Sequence, residues 1–382
     1  MRVTAVSVTP LWMRMAHPYV IATSAMAANP VDIVRVETDE GLVGYGEAMP
    51  AYEFTGETLW TVEDVICEHL APLVVGRDPF DLEAVTADFE LIVGNQAAKA
   101  GLELALWDLQ GKALGRPLVE LVGGARGGCV PLIHAFGYAP PEELAAKARA
   151  RAADGLTVFK VKVGDDPGRD AERVAAVREA VGPDAQIKCD ANTGWRTARR
   201  AIEAIRLLEP YGVEFVEEPV RMDDLKACRF VRERVDVPIA LDESVRGPRE
   251  ALAAARAGAC DIINVKLMKC GGVLNALKVN AVAEAAGIVL HVGSMGEVAG
   301  ACAAMIALHG ALANARYSDT ADQAAMGYVD SIAAGFVQRR VDGGVLTMLV
   351  PDGPGLGLEY DEAAIARLRA ARPWLRRERT DA

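Results

Sequence analysis

Five charged residues in the middle of the chain stand at nearly even spacing, each at the end of a short apolar run: Lys162, Asp190, Glu217, Asp242 and Lys266. The intervals are 28, 27, 25 and 24 residues, about the length of one strand, one helix and two short loops. In a parallel barrel, such equivalent points converge on the C-terminal face. Three carboxylates would then lie between two lysines, an arrangement that predicts removal of a proton next to a carboxylate group.

The three acids are suited to a hard divalent cation. Asp190, Glu217 and Asp242 offer only oxygen atoms, which Mg²⁺ prefers and Mn²⁺ also accepts. Glu218 and Glu243 follow two of them directly, and adjacent strand residues point to opposite sides. Spacing alone leaves open which acid of each pair faces the cation. The other should lie behind it and hydrogen-bond the inner shell.

The lysines supply the basic groups. Lys160 and Lys162 are two residues apart on one apolar strand, so they point to the same side, and a buried pair of this kind needs polar partners. Lys266 closes a later strand and should lie on the opposite side of the three acids. Two lysines near a dication should have lowered pKa values, and a base poised near neutrality suits α-proton abstraction.

Other polar residues near the same face are weaker candidates for the site. His291, at the end of an apolar run, is interpreted as a core or rim histidine. Ser294 flanks a predicted helix start that could bind an anionic group. Glu297 is either a site carboxylate or an ordinary residue of the first helical turn, and the sequence leaves both interpretations open.

The pattern around these residues predicts a barrel with a second module. From residue 126 to about residue 315, seven apolar strand runs are each followed by a helical pattern, which is typical of a closed parallel sheet. Residues 1–50 alternate as strands do, and residues 57–115 show helical periodicity, so an α+β module should precede the barrel. A hairpin turning at residues 342–344 then suggests that the tail returns to this first module.

These elements define the predicted fold, an α/β protein built on a modified TIM barrel of the form (β/α)7β. We predict three segments: an α+β capping domain (1–125), the barrel (126–325), and a C-terminal segment that closes the barrel and returns to the cap (326–382).

Charge and composition argue against a nucleic-acid-binding protein and against a membrane-spanning one. The net charge of −12 argues against nucleic acid as a partner, because nucleic-acid binding needs a basic face. No apolar run is long enough to span a membrane, and the first residues lack the pattern of a signal peptide. The seven cysteines are scattered without pairing motifs, which favours a reducing compartment. We therefore expect a cytoplasmic enzyme.

The motifs K-V-K, D-A-N, V-E-E-P, L-D-E-S and N-V-K-L-M-K-C-G-G resemble those of the muconate-lactonizing subgroup of the enolase superfamily, and most of all its dipeptide epimerases. The resemblance implies that Asp190, Glu217 and Asp242 are metal ligands and that Lys162 and Lys266 are the acid/base pair. It further implies cap segments near residues 17–25 and 50–56 that select the substrate. The expected substrate contacts are Lys160, Asn192, Ser294, Glu297 and Asp319, with Glu218 and Glu243 behind the metal ligands.

One segment departs from the dipeptide epimerase pattern. Those enzymes carry Asp-x-Asp at the end of the last barrel strand, where it holds the substrate's free amino group. Here Ser318 and Thr320 occupy the aligned positions, and strand alternation is expected to turn the intervening Asp319 away. We therefore expect a substrate whose nitrogen is neutral or permanently alkylated, or which has none.

The predicted function is Mg²⁺-dependent racemisation or epimerisation of an amino-acid derivative or dipeptide, through an enediolate. A cycloisomerase or dehydratase acting at the same site is the alternative, and a non-catalytic small-molecule binder on this scaffold is a more remote one. We expect a small-molecule carboxylate as substrate and a homo-oligomer as the assembled state.

Overall fold

The computed structural model describes residues 1–20, 25–320, 327–334 and 339–371. The chain begins with a three-stranded antiparallel sheet in the order β1-β2-β3, formed by β1 (Val3–Val20), β2 (Ala25–Thr38) and β3 (Val43–Ala48). Gly41 lies in the turn between β2 and β3, with a φ of 78°. Part of the predicted substrate-selecting segment near residues 17–25 lies outside the described residues.

Five helices complete this first module, which we call the cap. They are α1 (Leu59–Asp64), α2 (Ala71–Val74), α3 (Leu82–Phe89), α4 (Gln96–Leu114) and α5 (Leu118–Leu121), with a π-helical stretch, Val65–Leu70, between α1 and α2. Helix α4 is buried around its whole circumference, because it lies between the cap sheet and the barrel. Its contact with β3 requires glycine, since a Cβ at Gly46 would lie 2.0 Å from the carbonyl oxygen of Gly101.

Eight parallel strands then form the barrel. After the short β4 (Cys129–Pro131), they are β5 (Ile133–Phe136), β6 (Val158–Lys162), β7 (Gln186–Asp190), β8 (Val216–Glu217), β9 (Ile239–Leu241), β10 (Ile262–Val265), β11 (Val289–Val292) and β12 (Ala315–Ser318). Strands β5 to β12 are hydrogen-bonded in chain order. The Ile133 amide donates to the Thr320 carbonyl at 3.1 Å, which brings the first and last strands together.

Helices connect successive barrel strands, as the alternating pattern predicts. They are α6 (Pro141–Ala153), α7 (Pro167–Val181), α8 (Ala198–Leu208), α9 (Leu225–Arg232), α10 (Pro248–Ala257), the short α11 (Leu267–Cys270), α12 (Val273–Ala285) and α13 (Gly300–Ala311). The strand register places Lys162 beside Asp190 and Asp190 beside Glu217. The predicted site residues on these three strands therefore lie at one level of the barrel.

The C-terminal part of the chain returns to the cap, as predicted. It comprises β13 (Ala333–Ala334), β14 (Arg339–Asp342), β15 (Val345–Leu349), β16 (Glu359–Tyr360) and α14 (Glu362–Ala370). Strands β14 and β15 form the predicted hairpin, and β15 pairs with β4. The Tyr360 ring stacks on that of Tyr45 in β3, with a centroid distance of 4.7 Å.

Two buried cap carboxylates bind the first amides of two barrel helices. Glu47 in β3 accepts hydrogen bonds from Gly300 N at 2.7 Å and from its neighbours at the start of α13. Glu103 in α4 accepts from Val273 N at 2.7 Å and Leu274 N at 2.8 Å at the start of α12. Helix N-termini carry unpaired amides and a partial positive charge. These two carboxylates therefore fasten the cap to the barrel.

No helix in the described part of the chain is both long and apolar enough to cross a bilayer. All seven cysteines are free thiols.

Candidate active site

A cavity of about 140 Å³ lies at the C-terminal end of the barrel, beneath the cap. The barrel contributes the sequence-predicted residues to its wall, and the cap contributes side chains from the end of β1 and from the loop after β3. Among the lining residues are Lys160, Lys162, Asp190, Asn192, Lys266, Ser294, Asp319, Met15, Tyr19 and Phe54. One enclosed space therefore brings together both predicted basic groups.

Lys162 stands on one side of the cavity, at the end of β6. Its ammonium donates to Asp190 Oδ2 at 2.7 Å and to Asn192 Oδ1 at 2.6 Å. The other oxygen of Asp190 accepts from the Asn192 amide at 3.0 Å. Both Lys162 and Asp190 are buried, so a carboxylate and an amide fix the position of the ammonium.

Lys266 stands on the opposite side, directly after β10. Strands β6 and β10 are four positions apart in the eight-stranded order, so the two lysines approach the cavity from opposite walls. The Lys266 ammonium donates to Asp242 Oδ2 at 2.5 Å. Lys269 donates to the other carboxylate oxygen at 2.7 Å. The Phe54 ring of the cap lies over Lys266, 5.1 Å from ammonium to ring centroid.

Glu217 and Lys160 lie between these two lysines. The Lys160 ammonium is 2.9 Å from Glu217 Oε2, 3.0 Å from Asp190 Oδ2 and 2.8 Å from Asp319 Oδ2. Asn264 Nδ2 donates to Glu217 Oε1 at 2.8 Å. Burial, together with the charge of Asp190, raises the pKa of Glu217 to about 8.

The carboxylates beside the two lysines set their pKa values. Burial by itself lowers the pKa of Lys162 and of Lys266, but the adjoining carboxylates of Asp190 and Asp242 outweigh it and raise both above the usual range. The expectation of lowered values concerns lysines beside a bound dication and stays a prediction.

Glu218 and Glu243 point away from the lysines. Glu218 Oε2 accepts from the Asp242 amide at 2.7 Å, and its other oxygen binds the Ser244 hydroxyl. Glu243 Oε1 accepts from Asn192 Nδ2 at 2.9 Å. Burial raises the pKa of Glu218 to about 7. Both acids therefore contact the residues that hold the inner carboxylates, the position that the sequence assigns to one member of each acidic pair.

Asp319 faces the barrel interior, and the expectation that it turns away was wrong. Leu290 pairs with Ala315, but the next residue, His291, pairs with Tyr317, so β12 contains one extra residue. Such a bulge reverses the facing of every residue beyond it. The Asp319 carboxylate consequently lies 2.8 Å from Lys160, 3.0 Å from His291 Nε2 and 3.5 Å from the Lys188 ammonium.

Ser318 and Thr320 hydrogen-bond each other instead of pointing into the site. His291 is fully buried, as its interpretation as a core histidine predicts, and its ring packs against Phe215 and Tyr317. Burial lowers the pKa of His291 to about 4, against the opposing effect of Asp319.

Ser294 and Glu297 form a local pair at the cavity edge. Ser294 Oγ donates to Glu297 Oε2 at 2.6 Å, and the Met295 amide donates to the same oxygen at 2.8 Å. Glu297 is buried, and burial raises its pKa. Ser294 lines the cavity, while Glu297 fixes the loop that carries it.

Sequence reasoning missed Lys188, Asn264 and Lys269. Lys188 stands two residues before Asp190 on the same strand, and Asn264 stands two residues before Lys266, which directly follows its strand. Strand alternation could therefore have identified both. Lys269 lies one helical turn after Lys266, in α11, and no strand pattern covers it. The contacts of Phe54 and Tyr19 depend on how the cap docks, which no local pattern encodes.

Among the described residues, one set of possible metal ligands lies close together, and it is not the set that the sequence predicts. In the described part of the chain, Glu217, His291 and Asp319 place one ligand atom each within 4.8 Å of one another. The Lys160 ammonium lies within 2.9 Å of both carboxylates of this set. It also lies within 3.0 Å of Asp190 and Glu217 of the predicted set, so its charge does not distinguish the two sets. The nitrogen ligand of His291 does, because Mg²⁺ prefers oxygen ligands.

The predicted set of Asp190, Glu217 and Asp242 has oxygen-only donors that are at most 1% exposed. Asp190 forms an ion pair with Lys162, and Asp242 forms one with Lys266 on the opposite side. Glu217 Oε2 is buried and receives no hydrogen bond of good geometry. This donor chemistry fits Mg²⁺.

Two family models match this chain. Residues 2–123 match the mandelate racemase / muconate lactonizing enzyme N-terminal domain, and residues 143–364 match the enolase C-terminal domain-like family. The chain belongs to the mandelate racemase / muconate lactonizing enzyme family of the enolase superfamily. This confirms the resemblance seen in the motifs and the predicted class, since the chain is accordingly an enzyme of the isomerase class.

Characterised relatives cover most of the chain. It is 35% identical to N-succinyl-L-Arg/Lys racemase of Bacillus cereus over 78% of this chain and 81% of that one. It is 32% identical to muconate cycloisomerase 1 of Rhodococcus opacus over 95% and 97%. The crystal structure of an Enterococcus faecalis dipeptide epimerase, complexed with Mg and L-Leu-L-Tyr, superimposes with a TM-score of 0.88 at 34% identity, covering 94% and 100%.

The cap meets the barrel rim at Gly137, just after β5. The Tyr138 amide donates to the Val20 carbonyl at 2.9 Å, which holds the end of β1, and with it Tyr19, at the cavity wall. A Cβ at Gly137 would lie 2.7 Å from Val20 O and 3.0 Å from Val20 N. These are backbone atoms that cannot rotate away.

Replacing Gly137 by Ala should therefore displace the end of β1, at a cost of about 1–3 kcal/mol of docking free energy. We expect KM to rise more than kcat falls, with little change in Tm, as measured by steady-state kinetics and thermal unfolding. Gly127→Ala is the matched control, since a Cβ there meets nothing within 4 Å. Equal KM values in the two variants would contradict the proposed docking contact.

Proposed function

We propose that this chain is a Mg²⁺-dependent racemase or epimerase that acts on the α-carbon of an N-substituted amino acid or dipeptide. The observation that supports this most directly is the pair Lys162 and Lys266, which line one cavity from opposite walls. One lysine removes the α-proton, and the other delivers a proton to the opposite face of the planar enediolate. Inversion of the α-carbon follows.

Asp190, Glu217 and Asp242 are the proposed ligands of the metal. When bound, Mg²⁺ supplies positive charge that stabilises the negative charge developing on the substrate carboxylate. The oxygen-only donor set supports this choice and also accommodates Mn²⁺. The dipeptide epimerase of E. faecalis, which has Mg in its crystal structure, supports it as well.

The cationic groups beside Asp319 support a substrate whose nitrogen carries no positive charge. Lys160 hydrogen-bonds one oxygen of this carboxylate, and His291 and Lys188 lie within 3.5 Å of the other. Burial alone would raise its pKa, but these groups hold it well below the usual range. An incoming ammonium would therefore compete with two lysines for one anion. N-acylated amino acids avoid this competition, and the N-succinyl-amino-acid racemase of B. cereus is named for such a substrate.

Unmodified L-Ala-L-Glu should be a poor substrate compared with N-acyl amino acids. A buried ammonium without its own counter-charge costs several kcal/mol, about 2–5, which corresponds to a large loss of kcat/KM. The measurement is kcat/KM for L-Ala-L-Glu and for its N-acetyl derivative in the same assay. Fast epimerisation of the free dipeptide, near the best rate in a screen, would contradict this prediction.

The reaction itself is tested by ¹H NMR in deuterated water with a panel of N-acyl amino acids, dipeptides, proline betaines and muconates. Incorporation of α-deuterium with inversion supports the proposal. An unsaturated or lactone product would favour the alternative of a cycloisomerase or dehydratase. The chain's 32% identity to muconate cycloisomerase 1 is the observation that supports this alternative. Absence of exchange with every acid would favour a non-catalytic binder.

A further inference from the structure

A buried carboxylate joins the loop after β6 to the loop after β7. Asp170, in the first turn of α7, is completely buried and does not line the cavity that holds both lysines. Its Oδ2 atom accepts hydrogen bonds from the amides of Gly164 and Asp165 in the loop after β6, both at 3.0 Å. The same oxygen accepts from the indole Nε1 of Trp195 in the loop after β7, at 2.9 Å. One oxygen atom therefore binds three donors from two loops.

The second oxygen of Asp170 is bound by a cation. Arg173, one turn later in α7, donates to Oδ1 at 2.7 Å, and its guanidinium lies over the Tyr138 ring, 4.7 Å from the ring centroid. The Tyr138 hydroxyl in turn donates to the carbonyl of Val163, the residue directly after Lys162. These contacts hold the main chain that follows Lys162 from a second direction.

The two loops also touch each other through their backbones. A Cβ at Gly194 would lie 2.4 Å from the carbonyl oxygen of Gly164, and a Cβ at Gly164 would lie 2.4 Å from that of Ala191. The backbone before Gly194 is strained, since Asn192 and Thr193 have φ of 39° and 65°. A β-branched residue is an outlier in this conformation, which persists only where the surrounding structure holds it. The indole hydrogen bond described above is one of these restraints, two residues further along the same loop.

These loops position the groups that bind Lys162. The Lys162 ammonium donates to Asp190, which ends β7, and to Asn192 in the loop that follows. In the described part of the chain, the hydrogen bonds of the Asp170 carboxylate are confined to this side of the barrel. The Lys266 ammonium is bound instead by Asp242, which follows β9. Asp170 is thus linked to one of the two lysines.

We propose that Asp170 is a positioning residue for Lys162 and that it acts on this base alone. The inference rests on the proposed function, because it concerns proton transfer at one face of the substrate. Asp170 fixes the main chain after Lys162 and, through Trp195, the loop that carries Asn192. A displacement of about 1 Å can slow a reaction about 100-fold. Loss of this carboxylate should therefore slow proton transfer at the Lys162 face and leave the Lys266 face unchanged.

The test measures α-deuterium exchange from each pure enantiomer, after the Lys162→Ala and Lys266→Ala variants have identified which enantiomer each lysine serves. In Asp170→Ala, exchange of the enantiomer served by Lys162 should fall about 10- to 100-fold, while the other stays within about twofold of wild type. Asp170→Asn keeps one oxygen for the three donors and should recover part of the loss. Trp195→Phe removes only the indole donor, so it should give a smaller loss with the same enantiomer, and it serves as the test if Asp170→Ala does not fold.

Asp261→Ala is the matched control. Asp261 also binds a main-chain amide and an arginine, those of Ile239 at 3.0 Å and Arg232 at 2.8 Å. It lies directly before β10, at the opposite end of the barrel strands. Its replacement should leave the ratio of the two exchange rates unchanged.

Equal slowing of both enantiomers in folded Asp170→Ala, or slowing of neither, would overturn the positioning role. Lysine-selective ¹⁵N labelling gives a second readout that needs no substrate, with the ammonium signals assigned from the two lysine variants. In Asp170→Ala the Lys162 signal should shift and the Lys266 signal should not. That shift, in an enzyme whose wild type exchanges no α-proton, would support the positioning role and refute the proposed function. Exchange by the wild type, with both ammonium signals unmoved in Asp170→Ala, would do the reverse.

Discussion

The enzyme with Lys162 replaced by Ala should exchange the α-proton of only one enantiomer of its substrate, and the enzyme with Lys266 replaced by Ala only that of the other. The two ammonium groups lie on strand ends four positions apart around the barrel, so each reaches one face of a planar intermediate. Loss of one base does not block approach from the opposite face. Racemisation requires both and should fall about 100- to 10,000-fold in either variant.

The measurement is ¹H NMR in deuterated water, started from each pure enantiomer. Lys147→Ala, at an exposed salt bridge with Glu143 in α6, is the control and should behave as wild type. Equal loss of exchange from both enantiomers in both variants would mean that one lysine acts as base while the other only stabilises charge. That outcome would favour a cycloisomerase or dehydratase.

Glu217→Gln should abolish Mg²⁺-dependent activity while leaving the fold intact. The variant keeps an oxygen for the hydrogen bond from Asn264 but removes the charge at the centre of the three acids. We expect a loss of roughly 1000-fold or more in kcat and a large loss of Mg²⁺ affinity in calorimetric titration. A normal circular dichroism spectrum would show that packing is preserved.

Glu218→Gln is the matched control for this prediction, because it changes the adjacent residue by the same chemistry. Glu218 binds the Asp242 amide and the Ser244 hydroxyl, so its loss should loosen Asp242 and cost about 10- to 100-fold. If Glu218→Gln were the inactive variant and Glu217→Gln retained activity, the assignment of the ligand would be wrong.

The sequence predicted that the five charged residues gather at one end of the barrel, because they end strand runs in successive units of similar length. Strand alternation also placed Lys160 and Lys162 on the same side. Strand alternation gave the wrong direction for the Asp319 side chain, because one extra residue in β12 reverses the facing of that carboxylate. The sequence of a four-residue strand does not reveal a bulge. The lowered lysine pKa values expected beside a bound dication stay a prediction.

Contacts between the cap and the barrel could not be predicted from the sequence, for a different reason. The position of Phe54 over Lys266 depends on packing between residues more than 200 apart. The roles of the individual site residues, the bounds of the three segments, the cellular compartment and self-association stay predictions.

The carboxylate of Glu103 restricts the backbone that follows Lys266. Gly272 has a φ of 115°, and a Cβ on it would lie 2.2 Å from Glu103 Oε2. Gly272, which follows Lys266, Lys269 and Cys270, is thus required by a residue of the cap interior. In the proposed mechanism, the interior of the cap therefore helps to position Lys266, and the selection of substrate by the cap loops stays a prediction. A substitution of Glu103 inside α4 is therefore expected to shift Lys266, although Glu103 does not line the cavity.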